Sequence, residues 1–286
     1  MQAVTEIEPL PDDLIAWVAS QRAAGHSSDA LRAALLQAGW EADMAQQALA
    51  AAGVSRPAPL PLTTAASASA APGPDLRGTP LRIDAGDRRV AVLQTVALPR
   101  AVLFGDFLDD TECSALIELA RPRLARSRTV SLGTDAEMVH DDRTSDGMFF
   151  MRGENPLVTR IEARIARLLN WPVENGEGLQ ILRYRPGAEY KAHYDYFDPA
   201  DPGSGTILRR GGQRIATLVM YLHEPEGGGG TYFPEAGLDV LPRRGHALFF
   251  SYPDATPASK SLHGGAPVVA GEKWIAVKWL RQGRFD

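Results

Sequence analysis

The stretch LQILRYRPGAEYKAHYDYF, residues 179–197, marks the point where the hydrophobic period of the sequence changes from helical to extended. Before it, apolar residues between Pro156 and Leu169 recur at steps of three and four, which predicts an amphipathic helix. Within and after it the period becomes two, which is typical of strands. Gly- and Pro-containing turns separate four strand candidates, at residues 179–184, 215–222, 246–252 and 273–280.

A further helix is predicted upstream of this region. Residues Asp109–Leu124 place their apolar side chains on one face, with an aspartate as the N-cap. Helices followed by many short strands indicate a β-sandwich or jelly roll with helices packed against one side. We therefore expect an α+β fold that is mainly β.

Composition divides the chain into three parts. Residues 1–53 are Ala- and Leu-rich with helical spacing, and Gly and Ser at the breaks predict a small N-terminal three-helix bundle. Residues 54–79 are rich in Pro, Ala and Ser, so we expect a flexible linker, because such a segment buries too little apolar surface to offset its chain entropy. Residues 80–286 hold most of the aromatic side chains and are expected to form one larger domain.

Charge and cysteine content narrow the class of protein. The 286 residues include 30 Lys+Arg against 35 Asp+Glu, a net charge of −5 that disfavours nucleic acid as the main partner. No apolar run approaches the ~20 residues that cross a bilayer. The first residues contain no basic region followed by an apolar stretch, so we expect a cytoplasmic protein without membrane association. A single cysteine, Cys113, excludes a disulfide framework and a Cys-rich zinc site.

Two histidines and one aspartate form a candidate metal site. His193 and Asp195 lie two residues apart, so both point to the same face if the segment is extended. His263 follows much later, before the final strand. Two imidazoles and one carboxylate are the facial triad of non-haem Fe(II) oxygenases, which leaves positions open on the metal. A histidine beside an aspartate is also common on protein surfaces, so the assignment depends on the surrounding residues.

Those surrounding residues suit a cosubstrate that bears carboxylates. Lys273 lies ten residues after His263 at the start of a strand, where its ammonium is available to bind a buried carboxylate. Trp279 falls on the same face of that strand if it is regular. Tyr184 and Thr217 are hydroxyl-bearing candidates on two other predicted strands.

Three stretches together carry a resemblance to a known family: residues 179–197, GGQRIATLVMYLHEPEGGGGTYFPE at 211–235, and SLHGGAPVVAGEKWIAVKW at 261–279. Over roughly residues 98–282 the chain resembles the 2-oxoglutarate- and Fe(II)-dependent dioxygenases of the prolyl 4-hydroxylase branch. The resemblance implies a double-stranded β-helix (jelly roll) with supporting helices. It does not cover the N-terminal helices, whose Gly-Trp turn resembles ubiquitin-associated modules; a plain docking or oligomerisation bundle is the alternative.

The resemblance also implies roles for particular residues. His193, Asp195 and His263 match the iron ligands, and Lys273 matches the residue that binds the distal carboxylate of 2-oxoglutarate. The remaining matches are Tyr184 and Thr217 as hydrogen-bonding partners of the cosubstrate, Trp279 as an aromatic lining its pocket, Tyr190 near the substrate mouth, and Arg143 of the Arg143-Thr144-Ser145 motif in substrate handling. The implied cofactors are Fe²⁺, 2-oxoglutarate, O₂ and L-ascorbate.

The expected reaction is hydroxylation of a prolyl residue in a peptide or protein, with decarboxylation of 2-oxoglutarate to succinate and CO₂. One alternative is an oxygenase of the same cosubstrate class acting on another side chain or on a nucleic acid. As a class resemblance, the nucleic-acid demethylases among these oxygenases usually hold the cosubstrate with arginine, so Lys273 favours a protein substrate over a nucleic acid. Another alternative is a non-catalytic metal-binding protein that recruits partners through its N-terminal helices; an intact triad with Lys273 argues against it.

Overall fold

The structure is a computed structural model that describes residues 12–23, 26–53, 71–126, 129–130, 137–138 and 144–286. Two compact units make up the chain, one within residues 1–65 and one within 66–286. Among the described residues, no helix combines the length and the apolar character needed to cross a bilayer.

The smaller unit contains three helices: α1 (Asp12–Ala23), α2 (Ser28–Gln37) and α3 (Ala42–Gly53). Ser27 caps α2 by accepting a hydrogen bond from the backbone N–H of Ala30 at 3.3 Å. Gly39 adopts φ +90° in the turn that follows, a conformation that L side chains rarely adopt. The helices share a small apolar core formed by Leu14, Val18, Leu31, Leu35, Ala45, Ala48 and Leu49.

The predicted linker is described only in part. Residues 54–70 lie outside the described residues, whereas 71–79 pack on the larger unit instead of extending freely. Pro72 and Pro74 are buried, and the N–H of Gly73 donates to the carbonyl of Leu169 at 2.8 Å. A backbone hydrogen bond and two buried prolines therefore hold residues 72–74, whereas Asp75 and residues 77–79 are exposed. The predicted boundaries at 53/54 and 79/80 stay predictions.

The larger unit is mainly β. Its strands are β1 (Arg82–Asp84), β2 (Arg89–Val96), β3 (Arg100–Gly105), β4 (Ala125–Arg126), β5 (Thr129–Val130), β6 (Glu137–Met138), β7 (Asp146–Phe150), β8 (Leu179–Tyr184), β9 (Tyr190–His193), β10 (Arg214–His223), β11 (Gly227–Gly228), β12 (Thr231–Phe233), β13 (Leu238–Val240), β14 (Ala247–Ser251), β15 (His263–Gly265), β16 (Val268–Ala270) and β17 (Lys273–Arg281). Its α-helices are α4 (Asp110–Ala120), α5 (Pro156–Leu169) and α6 (Ser204–Leu208), and 3₁₀ turns span Arg121–Arg123, Val173–Asn175 and Pro257–Ser259.

Two antiparallel sheets form the core of the unit. The major sheet has the order β1-β2-β3-β14-β10-β17-β8-β7-β4, and the minor sheet has the order β13-β12-β15-β9. Alternate residues of β10 show how the layers form: Leu218 and Met220 pack in the cluster that includes α4 and α5, whereas Val219 and Tyr221 pack in the cluster shared with the minor sheet. This is the predicted jelly roll with supporting helices.

Helix α4 ends earlier than the pattern predicts. The expected helix over Asp109–Leu124 is in fact α4 followed by a 3₁₀ turn, because Pro122 has no N–H to continue the helical hydrogen bonds. At the other end Asp109 and Glu112 form a reciprocal capping box. Glu112 also binds the buried guanidinium of Arg164 on α5 at 2.7 and 2.8 Å, which ties the two supporting helices together.

Strand register brings the predicted site residues towards one cavity. Strands β9 and β15 pair so that His193 lies opposite His263. Strand β17 pairs with β8 at Lys273 and Tyr184, and with β10 at Trp279 and Thr217. The major sheet therefore supplies the lysine and both hydroxyl candidates, and the minor sheet supplies the two histidines.

Candidate active site

The three candidate metal ligands converge. One donor atom from each of His193, Asp195 and His263 lies within 4.8 Å of the other two. The Nε2 atom of His193 is 3.5 Å from Oδ1 of Asp195, and Nε2 of His263 is 3.6 Å from Oδ2 of the same carboxylate. The side chains therefore present two imidazole nitrogens and one carboxylate to a single point.

Backbone carbonyls orient both imidazoles. Nδ1 of His193 lies 2.9 Å from the carbonyl oxygen of Lys191, and Nδ1 of His263 lies 2.9 Å from that of Ser261. Because a carbonyl oxygen only accepts, each Nδ1 carries the proton and each Nε2 presents its lone pair. Metal-binding histidines are commonly oriented in this way.

The charges of the site suit a divalent cation. Burial lowers the pKa of His263 to about 4, so its imidazole is neutral at physiological pH. Burial alone would raise the pKa of Asp195, but the neighbouring imidazoles of His263 and His193 and the guanidinium of Arg214 bring it well below its usual value. Neutral nitrogen donors with one anionic oxygen donor are the ligand set that non-haem Fe(II) sites use, and the residues therefore fit Fe²⁺.

The hydroxyl of Thr217 contacts the metal-site carboxylate. Its Oγ1 donates to Oδ2 of Asp195 at 2.6 Å and lies 2.6 Å from the hydroxyl of Tyr252. The family resemblance predicts a hydrogen bond from Thr217 to the cosubstrate. A hydroxyl has one proton, and here that proton is directed to Asp195. Thr217 lines the cavity, but its donor is engaged with a metal ligand.

A cleft between the two sheets contains these groups and Lys273. It encloses about 440 Å³, including its open mouth, and all three triad residues line it together with Tyr184, Lys273 and Trp279. On β10, Thr217 pairs with Trp279 and Tyr221 pairs with Ile275. The four-residue step from Thr217 to Tyr221 places these two residues roughly 13 Å apart along the strand. The metal end of the cavity, at Asp195 and Thr217, is thus distinct from the lysine end, at Lys273 and Tyr184.

The lysine end holds a buried cation. Lys273 is 2% exposed, and its Nζ lies 5.3 Å from the centre of the Tyr184 ring. Burial lowers the pKa of Lys273 to about 8, and the charge of Asp239 opposes this effect only in part. An ammonium in such a site favours an anionic partner, because an unpaired buried charge is costly.

A second threonine lies on this side of the cavity, and the sequence analysis does not identify it. Thr231 on β12 lines the cleft and accepts a hydrogen bond from the hydroxyl of Tyr221 at 2.9 Å. Since Tyr221 supplies that proton, Thr231 keeps its own for an acceptor in the cavity. The available signal was its position directly after the glycine run, where a strand begins.

Comparison with known proteins agrees with this geometry. Residues 179–281 match the 2OG-Fe(II) oxygenase superfamily. Prolyl 4-hydroxylase 2 of Arabidopsis thaliana is 40% identical over 218 residues, covering 68% of this chain and 71% of that protein. Prolyl 4-hydroxylase 5 of the same plant is 42% identical over 221 residues, covering 70% and 74%. The chain belongs to the prolyl 4-hydroxylase family. The predicted 2-oxoglutarate-dependent dioxygenase is confirmed, and its cofactors are Fe²⁺, 2-oxoglutarate and O₂.

One solved structure also aligns with part of the chain. The viral collagen prolyl hydroxylase from Paramecium Bursaria Chlorella virus-1, in its 2-oxoglutarate complex, is 33% identical. The match covers 63% of this chain and 94% of that one, with a TM-score of 0.49.

Of the remaining predicted residues of this prolyl 4-hydroxylase family member, Tyr190 lies beside the triad. The ring of Tyr190 stacks on the imidazole of His193, with 3.7 Å between their centres, and both line the cleft. Arg143 lies outside the described residues. The neighbouring Thr144 is described, and its Oγ1 accepts from the N–H of Glu189 at 2.9 Å, next to Tyr190.

Trp279 and Arg214 form a buried wall beside the metal end. The guanidinium of Arg214 lies 3.9 Å from the centre of the Trp279 indole, and Glu177 holds that guanidinium through two hydrogen bonds of 2.6 and 2.8 Å. The indole N–H is buried without a hydrogen-bond partner in the described part of the chain. The family resemblance implies a position for Trp279 in the pocket wall, and Trp279 lines the cleft. No sequence motif indicates that Arg214 supports the indole.

Proposed function

We propose that this dioxygenase hydroxylates a prolyl residue in a peptide or protein substrate and converts 2-oxoglutarate to succinate and CO₂. One oxygen atom of O₂ enters succinate and the other enters the new hydroxyl group. The supporting observation is a single cleft lined by the triad and by Lys273. The names of relatives at about 40% identity support the prolyl substrate.

At the metal end, His193, Asp195 and His263 would hold Fe²⁺. When bound, this ion activates O₂ together with the cosubstrate, and the protein contributes positioning and exclusion of water. The carbonyl groups behind the two imidazoles keep each Nε2 directed at the metal. Thr217 keeps the carboxylate of Asp195 turned towards the same point.

At the lysine end, Lys273 and Thr231 would hold the distal carboxylate of 2-oxoglutarate. The ammonium supplies charge and the hydroxyl supplies a directed donor, with the Tyr184 ring beside them. In this proposal Thr231 takes the role that the family resemblance implied for Thr217. The apolar walls, formed by Leu182, Val219, Ile275 and Val277, exclude water and strengthen these contacts.

Tyr190 would receive the prolyl ring of the substrate. Its ring stacks on the candidate ligand His193 and lines the cleft, so a prolyl ring in contact with Tyr190 would lie beside the metal site. We further propose that Arg143 contacts the substrate, as the resemblance implies, and that L-ascorbate acts as an auxiliary reductant.

A peptide assay tests the substrate proposal. The full-length protein is incubated with Fe²⁺, 2-oxoglutarate, O₂ and proline-containing peptides, and the products are analysed by mass spectrometry and succinate detection. We expect peptides that gain one oxygen atom on proline, with succinate formed in equal amount. Matched peptides with each proline replaced by alanine serve as the control. Two outcomes would contradict a prolyl substrate. In one, the alanine peptides gain oxygen as readily as the proline peptides. In the other, peptides stimulate succinate formation but none of them gains oxygen.

We also propose that the N-terminal helices bind a partner and that the enzyme acts in the cytoplasm. Trp17 and Leu36 are 41% and 44% exposed on α1 and α2, which leaves large apolar side chains available for contact. Fractionation of cells producing the tagged full-length chain tests the location. The proposed docking predicts that Trp17→Ser leaves peptide hydroxylation unchanged and reduces co-purification of the partner.

A further inference from the structure

A fully buried tyrosine stands behind the metal-site carboxylate. Tyr252 directly follows β14, is 0% exposed, and its backbone N–H donates to the carbonyl of Ile215 at 2.9 Å. Its hydroxyl lies 2.6 Å from Oγ1 of Thr217, which in turn lies 2.6 Å from Oδ2 of Asp195. Tyr252 is not among the described residues that line the cleft, so it reaches the site only through Thr217.

The direction of this hydrogen-bond chain follows from counting protons. The ionised carboxylate of Asp195 has no proton and only accepts. Thr217 has one hydroxyl proton, which it donates to the carboxylate. The contact between Thr217 and Tyr252 therefore has only one available proton, that of the tyrosine, so Tyr252 donates. The order of donation is Tyr252 to Thr217 to Asp195.

We propose that Tyr252 is a positioning residue for the metal-binding carboxylate and acts through Thr217. Its proton occupies a lone pair of the threonine oxygen, which leaves the threonine proton directed at Oδ2 of Asp195. Donation into a hydroxyl also makes that hydroxyl a stronger donor in turn. The carboxylate is thus held in one rotation before the metal binds. This inference rests on the metal site and is independent of the identity of the substrate.

A second tyrosine provides a matched control. Tyr221 is also 0% exposed, and its hydroxyl likewise donates to a threonine, Thr231, at 2.9 Å. Thr231 lines the lysine side of the cleft, whereas Thr217 donates its hydrogen bond to the candidate ligand Asp195. Tyr221→Phe and Tyr252→Phe therefore remove the same atom from the same kind of buried chain, at opposite ends of the cavity.

Metal titration of the full-length protein tests the proposal, with Co²⁺ alone as the probe. Loss of a residue that hydrogen-bonds to a metal ligand weakens metal binding by about 10- to 100-fold. Tyr252 is separated from Asp195 by one further hydrogen bond, through Thr217, so a smaller effect is expected. We therefore expect Tyr252→Phe to raise the Kd for Co²⁺ roughly 3- to 10-fold and to change the visible Co²⁺ spectrum, which reports the ligand arrangement. Tyr221→Phe should leave both unchanged. An unchanged Kd and spectrum in Tyr252→Phe, or equal changes in both variants, would overturn the proposal.

Two further measurements separate positioning from general damage. In a Thr217→Val background, Tyr252→Phe should have no additional effect on the Kd for Co²⁺, because the chain is already broken. Additive effects would show that Tyr252 does not act through Thr217. If Tyr252→Phe does not fold, the pair Thr217→Ser and Thr217→Val replaces it. The serine should bind Co²⁺ like the parent and the valine about 10-fold or more weakly; equal binding by both would overturn the chain.

Discussion

The two ends of the cavity are built in different ways. At the metal end, three candidate ligands from two chain segments are oriented by hydrogen bonds: two backbone carbonyls hold the imidazoles, and a hydroxyl chain holds the carboxylate. At the lysine end, one buried ammonium is placed by its position at the start of β17 and by the walls around it.

This difference follows from what each end must bind. A metal ion requires lone pairs that point at one place, so small rotations of a ligand matter. An ammonium is a compact charge with three rotatable donors, and it attracts a carboxylate from several directions. The metal end should therefore be sensitive to the loss of single hydrogen bonds, whereas the lysine end should be sensitive to the loss of charge.

The largest effect is expected from the carboxylate itself. Asp195→Ala removes the one anionic ligand, and we expect the Kd for metal to rise more than roughly 100-fold, beyond the effect of losing an outer partner. Succinate formation should fall below detection in the same variant. Asp198→Ala is a suitable control, because Asp198 is an exposed aspartate a few residues away. Normal turnover in Asp195→Ala would show that the metal lies elsewhere.

Removing the charge at the other end comes second. Lys273→Met should weaken 2-oxoglutarate binding roughly 100-fold, because loss of one partner of a buried charge pair costs about 2–5 kcal/mol. Metal affinity should not change. Thermal melting should stay the same or rise, since the buried ammonium is replaced by an apolar side chain of similar length. Isothermal titration calorimetry with metal and with 2-oxoglutarate measures the two affinities. Weaker metal binding in Lys273→Met would show that the metal end and the lysine end of the cavity do not act separately.

The two threonines make a smaller, crossed comparison. Thr231→Val should weaken 2-oxoglutarate binding about 10-fold, the size expected for one hydrogen bond to a charged group. Its effect on metal affinity should be negligible. Thr217→Val should weaken metal binding and leave 2-oxoglutarate binding largely unchanged, because the hydroxyl of Thr217 donates to Asp195. If Thr217→Val weakens the cosubstrate and Thr231→Val does not, the role implied by the family resemblance holds for Thr217.

Dependence on pH is expected to be no larger than the effect of Thr231→Val. The pKa of Lys273 is about 8 in the protein, lowered by burial, so its ammonium is charged below pH 8 and becomes neutral above it. Binding of a carboxylate needs the charged form, and the affinity for 2-oxoglutarate should therefore fall as pH rises. Between pH 7 and pH 9 the Kd should increase up to about 10-fold. Lys273→Arg, which stays charged, should abolish this dependence; an equal slope in that variant would place the titrating group elsewhere.

The sequence predicts the strands well, and the three residues that it proposes as metal ligands converge in the structure. The change of period at residues 179–197 and the Gly/Pro turns place the core strands within about a residue of their observed ends, because turn residues bound each apolar run. These strands are buried on both faces. The two-residue spacing of His193 and Asp195 brings both side chains to one point, although β9 ends at His193 and Asp195 lies in the bend that follows. His263 is harder to assign from spacing, because it lies far from the other two residues in the sequence. Its assignment depends on the motif that surrounds it.

Hydrogen-bond partners across elements were beyond sequence reasoning. Alternation along β10 shows that Thr217 faces the interior, but it does not show which group meets the hydroxyl. That depends on how the segment after β9 folds back to place Asp195 beside it. Thr231 lies on β12 and Tyr252 directly follows β14. Their hydrogen-bond partners depend on how these elements pack against β10.

The most direct test of the divided cavity is titration of 2-oxoglutarate into the parent protein and into Lys273→Met, each with and without Mn²⁺. The account predicts the tightest binding in the metal-loaded parent. Removing either the metal or the lysine charge should each weaken binding at least about 10-fold, and removing both should weaken it further. An equal Kd for 2-oxoglutarate in the metal-free and metal-loaded parent would contradict the account, because the cosubstrate would then be held without the triad.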